Sequence, residues 1–374
     1  MQLYRRGSTG PAVAEVQSAL AGLGLLAEVP DESVFDEATD RALREFQQRR
    51  GLTVDGIVGP ETWRALSSAR WRLGDRLLSL ASRPFVGDDV AALQERLLEL
   101  GYDAGRVDGI FGVQTQRALR AFQRERGLVP DGTCGPATLR DLKQLGRLVT
   151  GGRPQRLRES EQLHQAGSAL AGKTVVLDPG HGGRDRGVTG HGLEEAAVVE
   201  DLARRLAGRL AASGVRADLT RGPDGCPSDA ERAAFANDIG ADLLLSLHVD
   251  RADSPRPHGV ATYHFGSGSG VHSTVGEQLA SLVQREVVAR TDLLDCRVHG
   301  KTWEILRLTR MPAVRLELGH LSNAGDAARL ADPAFRDTVA EALLVSVQRL
   351  YLPPDLDAPT GVLRLADLAA AVAG

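Results

Sequence analysis

The stretch Thr174-Val-Val-Leu-Asp-Pro-Gly-His-Gly-Gly183 decides how the second half of this chain is read. Thr174 to Leu177 is a short apolar run that predicts a buried strand, and Asp178-Pro-Gly ends it. Glycines on both sides of His181 let the backbone turn sharply there. They leave the imidazole at the carboxyl end of the strand, where open α/β sheets bind ligands. Working outward, Leu202, Leu206 and Leu210 form a helical stripe, and Val215-x-Ala-x-Leu219 alternates as a strand does. Ser228-Asp-Ala-Glu231 makes a capping box opening a helix to Ile239. Asp242 to Leu247 reads as another buried strand, and strand, helix and strand follow over 259–265, 275–288 and 313–318. That alternation predicts an α/β domain over 173–352, a mostly parallel sheet with helices on both faces.

Three further residues share the character of His181. His248 ends the run Leu243-Leu-Leu-Ser-Leu-His at the carboxyl edge of its strand. Glu195, in Gly192-Leu-Glu-Glu-Ala, falls in the first turn of the helix bearing the leucine stripe, so its carboxylate can point back to the same rim. Glu317 sits inside the hydrophobic run Ala313 to Gly319, where an unpaired charge is costly. Two neutral imidazoles and one carboxylate are the ligand set of a catalytic zinc with an open fourth position. A second carboxylate beside it can move a proton from water to a leaving amine. Spacing alone does not choose between Glu194 and Glu195.

The first half repeats itself. Val13-x-x-x-Gln17-x-x-Leu20-x-x-Leu23-Gly24 returns as Val90-x-x-x-Gln94-x-x-Leu97-x-x-Leu100-Gly101, and Phe46-Gln47 returns as Phe122-Gln123. Gly51-Leu52-x-x-Asp55-Gly56-x-x-Gly59-Pro60 returns as Gly127-Leu128-x-x-Asp131-Gly132-x-x-Gly135-Pro136. Apolar steps of three and four predict two small all-α repeats of three helices each, over 1–70 and 71–146. The shared polar residues are expected mainly to hold each bundle together. A Gly-, Arg- and Gln-rich linker is expected over 147–172, and a Pro-rich tail over 353–374.

At 374 residues the chain is long enough for two or three cores of about 150 residues each. Its formal charge of −4 gives no pull toward nucleic acid. Cys134, Cys226 and Cys296 are an odd count at wide spacing, which excludes a disulfide framework and reads as small reduced hydrophobes. Met1-Gln-Leu-Tyr-Arg-Arg-Gly7 opens no apolar stretch of signal-peptide length, and no run of about 18 apolar residues occurs. The expectation is therefore no membrane insertion, and a protein that is cytoplasmic or exported by a non-classical route.

The repeat motifs resemble the peptidoglycan-binding type 1 repeat over 7–66 and 84–142, which implies peptidoglycan as a partner. Leu177-Asp-Pro-Gly-His-Gly-Gly, Gly192-Leu-x-Glu195, Leu219-Thr-Arg221, Arg232-x-x-x-x-Asn237, Ser246-Leu-His248 and Pro312-Ala-Val-x-x-Glu317-Leu-Gly-x-Leu-Ser-Asn323 resemble the zinc-dependent N-acetylmuramoyl-L-alanine amidases of the amidase type 3 family. The resemblance implies His181, Glu195 and His248 as zinc ligands and Glu317 as the catalytic glutamate, and it favours Glu195 over Glu194. Ala196, Asp250 and His320 depart from residues usual in that family. The order of domains is similar to actinobacterial CwlM-type amidases, some of which have lost zinc ligands and regulate wall-precursor synthesis in the cytoplasm. That similarity implies the alternative of a cytoplasmic regulator, with a wall-synthesis protein as partner. His164, His191, His258, His264, His272 and His299 read as surface or structural, and His320, three residues from Glu317, carries more weight. Thr360, in a Pro-flanked segment of the tail, is a candidate phosphorylation site.

Overall fold

The structure is a computed structural model that describes residues 3–27, 33–146, 163, 167, 169–267 and 271–352. Most of the expected linker, the whole tail with Thr360, and His164 lie outside the described residues. Two compact units result, one holding both helical repeats and the other the sheet.

Each repeat has three helices: α1 (Pro11–Gly22), α2 (Glu37–Arg49) and α3 (Pro60–Ala69), then α4 (Asp88–Glu99), α5 (Val113–Glu125) and α6 (Pro136–Gly146). Pro11 and Pro60 start their helices where the missing N–H costs nothing, and Asp36 caps α2 by accepting from the Thr39 amide at 2.8 Å. Val13, Leu20, Phe35, Leu43 and Phe46 fill the first core; Leu93, Leu97, Phe111, Leu119 and Phe122 fill the second. The Phe-Gln and Asp-Gly motifs explain each other. Gln123 donates to Asp131 Oδ1 at 2.9 Å and to the Thr133 carbonyl at 3.0 Å, and accepts from the Gly132 amide at 2.9 Å. Gln47 makes the same three bonds to Asp55, Ile57 and Gly56. A fully desolvated amide thus ties the turn to the helix before it, and Gly56 and Gly132 take the left-handed φ the turn needs. Each repeat also reaches further back than its motifs, through bridges from Tyr4 to Val58 and from Leu78 to Cys134.

The second unit contains strands β1 (Thr174–Pro179), β2 (Thr189–Gly190), β3 (Leu193–Glu194), β4 (Arg216–Leu219), β5 (Leu243–Asp250), β6 (Val260–Phe265), β7 (Asp295–Lys301) and β8 (Ala313–His320). Its helices are α7 (Glu195–Ala212), α8 (Asp229–Asp238), α9 (Thr274–Arg290), α10 (Glu304–Leu308), α11 (Ala324–Ala331) and α12 (Pro333–Tyr351). The main sheet runs β4-β1-β5-β8-β6-β7. It is mostly parallel, as expected, and mixed at one pairing: β1 with β4, β1 with β5, β5 with β8 and β6 with β7 run parallel, while β6 pairs antiparallel with β8. The residues between β5 and β6, 251–259, contain no helix, so the chain has no crossover to bring β6 back parallel.

Alternation along β5 divides the sheet's two faces. Leu243, Leu245, Leu247 and Val249 join a core with the stripes of α7, α9 and α12, among them Leu202, Leu206, Leu279, Val283 and Leu343. Ser246, His248 and Asp250 point to the opposite face. On that face Asp178, 1% exposed, ends β1 as an ionised hub: Ser246 donates at 2.6 Å, Thr220 at 2.6 Å and Arg232 at 2.7 Å. Burial alone would raise its pKa, but the Arg232 charge and these hydrogen bonds hold it below the usual carboxylate value. Asp178→Ala leaves Arg232 buried without its partner, so it should destabilise the sheet unit by about 3–5 kcal/mol. Hydrogen exchange at the amides of β1 and β5 measures this, and unchanged protection would contradict it.

Candidate metal centre

The chain leaves β1 toward β4 on one side and returns through α8 to β5 on the other, so the carboxyl ends of β1 and β5 flank the switch point of the sheet. His181 follows β1 there with φ 57°, a left-handed conformation that costs a non-glycine residue about 1–2 kcal/mol. Two buried guanidiniums hold this backbone. Arg221 donates to the carbonyls of Pro179 at 2.8 Å and Gly180 at 3.0 Å, and Arg232 to those of Pro179 at 2.8 Å and His181 at 2.7 Å. Gly180 itself makes room for the second imidazole, since a Cβ there would stand 2.2 Å from His248 Cε1.

Glu195 opens α7 at the same rim. The preceding hairpin, β2 and β3, turns on His191 and Gly192, both at positive φ, as a tight two-residue loop requires. The Glu195 carboxylate is 1% exposed, accepts from the amides of Val188 at 2.9 Å and Val249 at 3.1 Å, and lies at the positive end of the helix dipole. His181 Nε2 is 3.2 Å from its Oε2 and His248 Nδ1 is 2.9 Å from its Oε1. One donor atom from each of the three residues lies within 4.8 Å of the others. A tetrahedral zinc with bonds of about 2.0–2.1 Å sets its donors about 3.3 Å apart, so this spacing fits. Asp185 stands behind His181, 2.7 Å from Nδ1, the arrangement that fixes a ligating imidazole with Nε2 forward.

The electrostatics agree with a site made for a cation. Burial pushes Glu195 up, yet the hydrogen bonds from both histidines carry it well below the usual carboxylate range. Hydrogen bonding to Glu195 raises His181 to about 9 against the penalty of burial, with Asp185 adding to the rise. A cation bound there would take the place of that proton.

Glu317 pairs with His248 in the β5–β8 register, so the two side chains stand next to each other on one face. Burial raises its pKa, opposed by the neighbouring Arg315. Beyond it, Asp250 pairs with His320: two steps along β5 match three along β8, a bulge at Gly319, whose φ is +82°. The extra residue re-aims His320 to the Glu317 face. Glu317, His320, Asp250 and Tyr263 line a cavity of about 390 Å³.

Comparisons with known proteins give the family. A family model described as N-acetylmuramoyl-L-alanine amidase matches residues 175–349, and one for a peptidoglycan binding domain matches 9–66 and 86–142. The N-acetylmuramoyl-L-alanine amidase CwlM of Mycobacterium tuberculosis is 48% identical over 98% of this chain and 94% of its own length. The chain belongs to the N-acetylmuramoyl-L-alanine amidase family. The amidase LytC of Bacillus subtilis is 33% identical over 48% of this chain and 36% of its own. Among solved structures, the family member AmiC2 of Nostoc punctiforme is 29% identical over 47% of this chain and 96% of its own, with a TM-score of 0.44.

The sheet of this amidase-family chain brings His181, Glu195 and His248 together and sets Glu317 beside them. Glu194 instead accepts from Arg186 at 2.7 Å, away from the imidazoles. His264 is buried against the Phe265 carbonyl and His272 pairs with Glu277 at 3.1 Å, both structural as expected. His258 and His299 line the cavity beside Glu317, closer to the site than a surface reading implies. Of the cysteines only Cys134 is a buried hydrophobe; Cys226 is exposed and Cys296 lines that cavity. Asp185, Arg315 and the carbonyl-holding roles of Arg221 and Arg232 escaped the sequence reading. Asp185, four residues past His181 in the same loop, was the one with a local signal. Gly180→Ala should displace the His248 ring and cut bound divalent metal per chain severalfold, while Gly208→Ala, with nothing within 4 Å of its added carbon, leaves it unchanged. Metal analysis of the purified variants reads the difference, and equal metal content in both would contradict the crowding argument.

Proposed function

We propose that this chain is a zinc-dependent amidase that hydrolyses the bond between muramic acid and the first L-alanine of the peptidoglycan stem peptide. In this reading His181, Glu195 and His248 hold the zinc, Glu317 is the general base and acid, and the two repeats dock the chain on wall glycan. The observation that carries it is the convergence of three ligand-type atoms within 4.8 Å, with an in-register carboxylate alongside.

Zinc in such a site supplies an activated water at neutral pH and polarises the amide carbonyl. The residues do the rest. Asp185 fixes the tautomer of His181, and the Val188 and Val249 amides fix both oxygens of Glu195. Glu317, buried yet facing the cavity, takes a proton from the attacking water and returns it to the leaving L-alanine nitrogen. A pKa raised by burial suits a group that must both accept and release that proton.

The regulatory reading, a fold kept to bind a wall-synthesis protein, requires none of these four side chains, and their joint retention supports hydrolysis. Among the described residues no helix is long and apolar enough to cross a membrane.

The zinc-loaded chain incubated with purified sacculi should expose new L-alanine amino termini. Glu317→Gln should keep its metal and lose about 10²–10⁴-fold in rate, and His248→Ala should lose both metal and activity. A folded chain with one zinc bound that releases no stem peptide would leave the regulatory reading standing.

A further inference from the structure

Arg315 is the charged residue in β8 that the proposed chemistry leaves without a task. It stands two residues before Glu317, so both project from the same face of the strand. Its Nε donates to Glu317 Oε1 at 2.8 Å, and its Nη2 reaches the same oxygen at 2.6 Å. No hydrogen bond among the described residues engages Oε2. The guanidinium is itself restrained: its carbon lies 4.6 Å from the centre of the Trp303 ring, and Trp303 packs on Tyr263 at 4.6 Å. Tyr263 is the cross-strand neighbour of Arg315 on β6, and the small Ala261 is the neighbour of Glu317. The stack therefore backs the arginine, while the space beside the glutamate stays open. Glu317, Ala261 and Tyr263 line the cavity, and Arg315 is outside its lining.

We propose that Arg315, braced by Trp303, is a positioning residue for the amidase reaction: it grips one oxygen of Glu317 from behind and presents the other to the cavity. This rests on the reading of Glu317 as the general base. The grip removes rotamer freedom from a carboxylate that must meet the attacking water and then the leaving nitrogen in a fixed place. Arginine does this where lysine cannot match it, because two N–H groups in one plane converge on the oxygen while the flat cation lies on the indole.

The test uses the full zinc-loaded chain on sacculi, comparing Arg315→Met, Arg315→Lys, Trp303→Leu, Glu317→Gln and the double variant Arg315→Met/Glu317→Gln, with zinc content and thermal melting measured for each. Arg315→Met should lower kcat about 100-fold, the scale of a misplaced catalytic group, with KM within about twofold and zinc retained. Arg315→Lys should recover part of the loss. In the Glu317→Gln background the same Arg315→Met change should cost nothing further, because a residue acting only through Glu317 has nothing left to act on. Should Arg315→Met fail to fold, Trp303→Leu carries the question with a smaller kcat loss of the same kind. Wild-type kcat in Arg315→Met, a change confined to KM, or an equal fractional loss with and without the Glu317 carboxylate would each overturn the proposal. Wild-type turnover by Glu317→Gln would overturn the reading of Glu317 as base and the proposal with it. Loss in Glu317→Gln with full activity in Arg315→Met would remove the proposal alone.

Discussion

The sheet unit depends on the grip of two buried arginines on the backbone after β1. Arg221 and Arg232 saturate the carbonyls of Pro179, Gly180 and His181, groups that a strand leaving its sheet would otherwise bury unpaired. That grip offsets the left-handed strain at His181 and sets its imidazole across from His248, ring centres 5.3 Å apart. Asp178 neutralises Arg232 and, through Ser246, ties β1 to β5 on the same face. Arg221 also reaches the Ala196 carbonyl and Glu200 of α7, so one guanidinium links the His181 loop to the helix that supplies Glu195. Three donors from distant points of the chain become one cluster because the same two cations brace their supports.

Parity in the strands does the remaining placement. Every second residue of β5 and β8 faces away from the large apolar core, which leaves one side of the sheet free for Ser246, His248, Arg315 and Glu317. The bulge at Gly319 then departs from parity and adds His320 to that face. The antiparallel entry of β6 places Ala261 and Tyr263 next to β8, and Tyr263 carries Trp303 in turn. The polar face is thus a product of register, with no single segment containing it.

The repeats use buried polarity to another end. In both copies a buried glutamine closes the Asp-Gly turn between the second and third helices, and the same glycine conformation is reused. Within a repeat of about sixty residues, one satisfied amide specifies the geometry of a turn that a small hydrophobic core leaves loose. The peptidoglycan-binding match therefore rests on residues whose work in this structure is architectural.

The sequence by itself determined most of the sheet unit's elements and the candidates His181, His248, Glu317 and a glutamate at 194 or 195. Local pattern carries that information: helical stripes at Leu202 to Leu210, the capping box at Ser228, glycines around His181, and polar residues at strand ends. It also determined the duplication, since two copies share every motif position that packs. Only the tertiary structure decided the direction of β6 and the partners Asp185, Arg221, Arg232 and Arg315, and it set Glu195 apart from Glu194 in agreement with the family resemblance. The direction of β6 depends on which strand its edge finds. The two neighbouring glutamates differ by one residue at a helix start, which local spacing does not resolve and the hairpin turn at His191 and Gly192 does. An arginine reads in sequence as a solvated charge, and it becomes a brace only once folding removes water from around the carbonyls and carboxylates it meets.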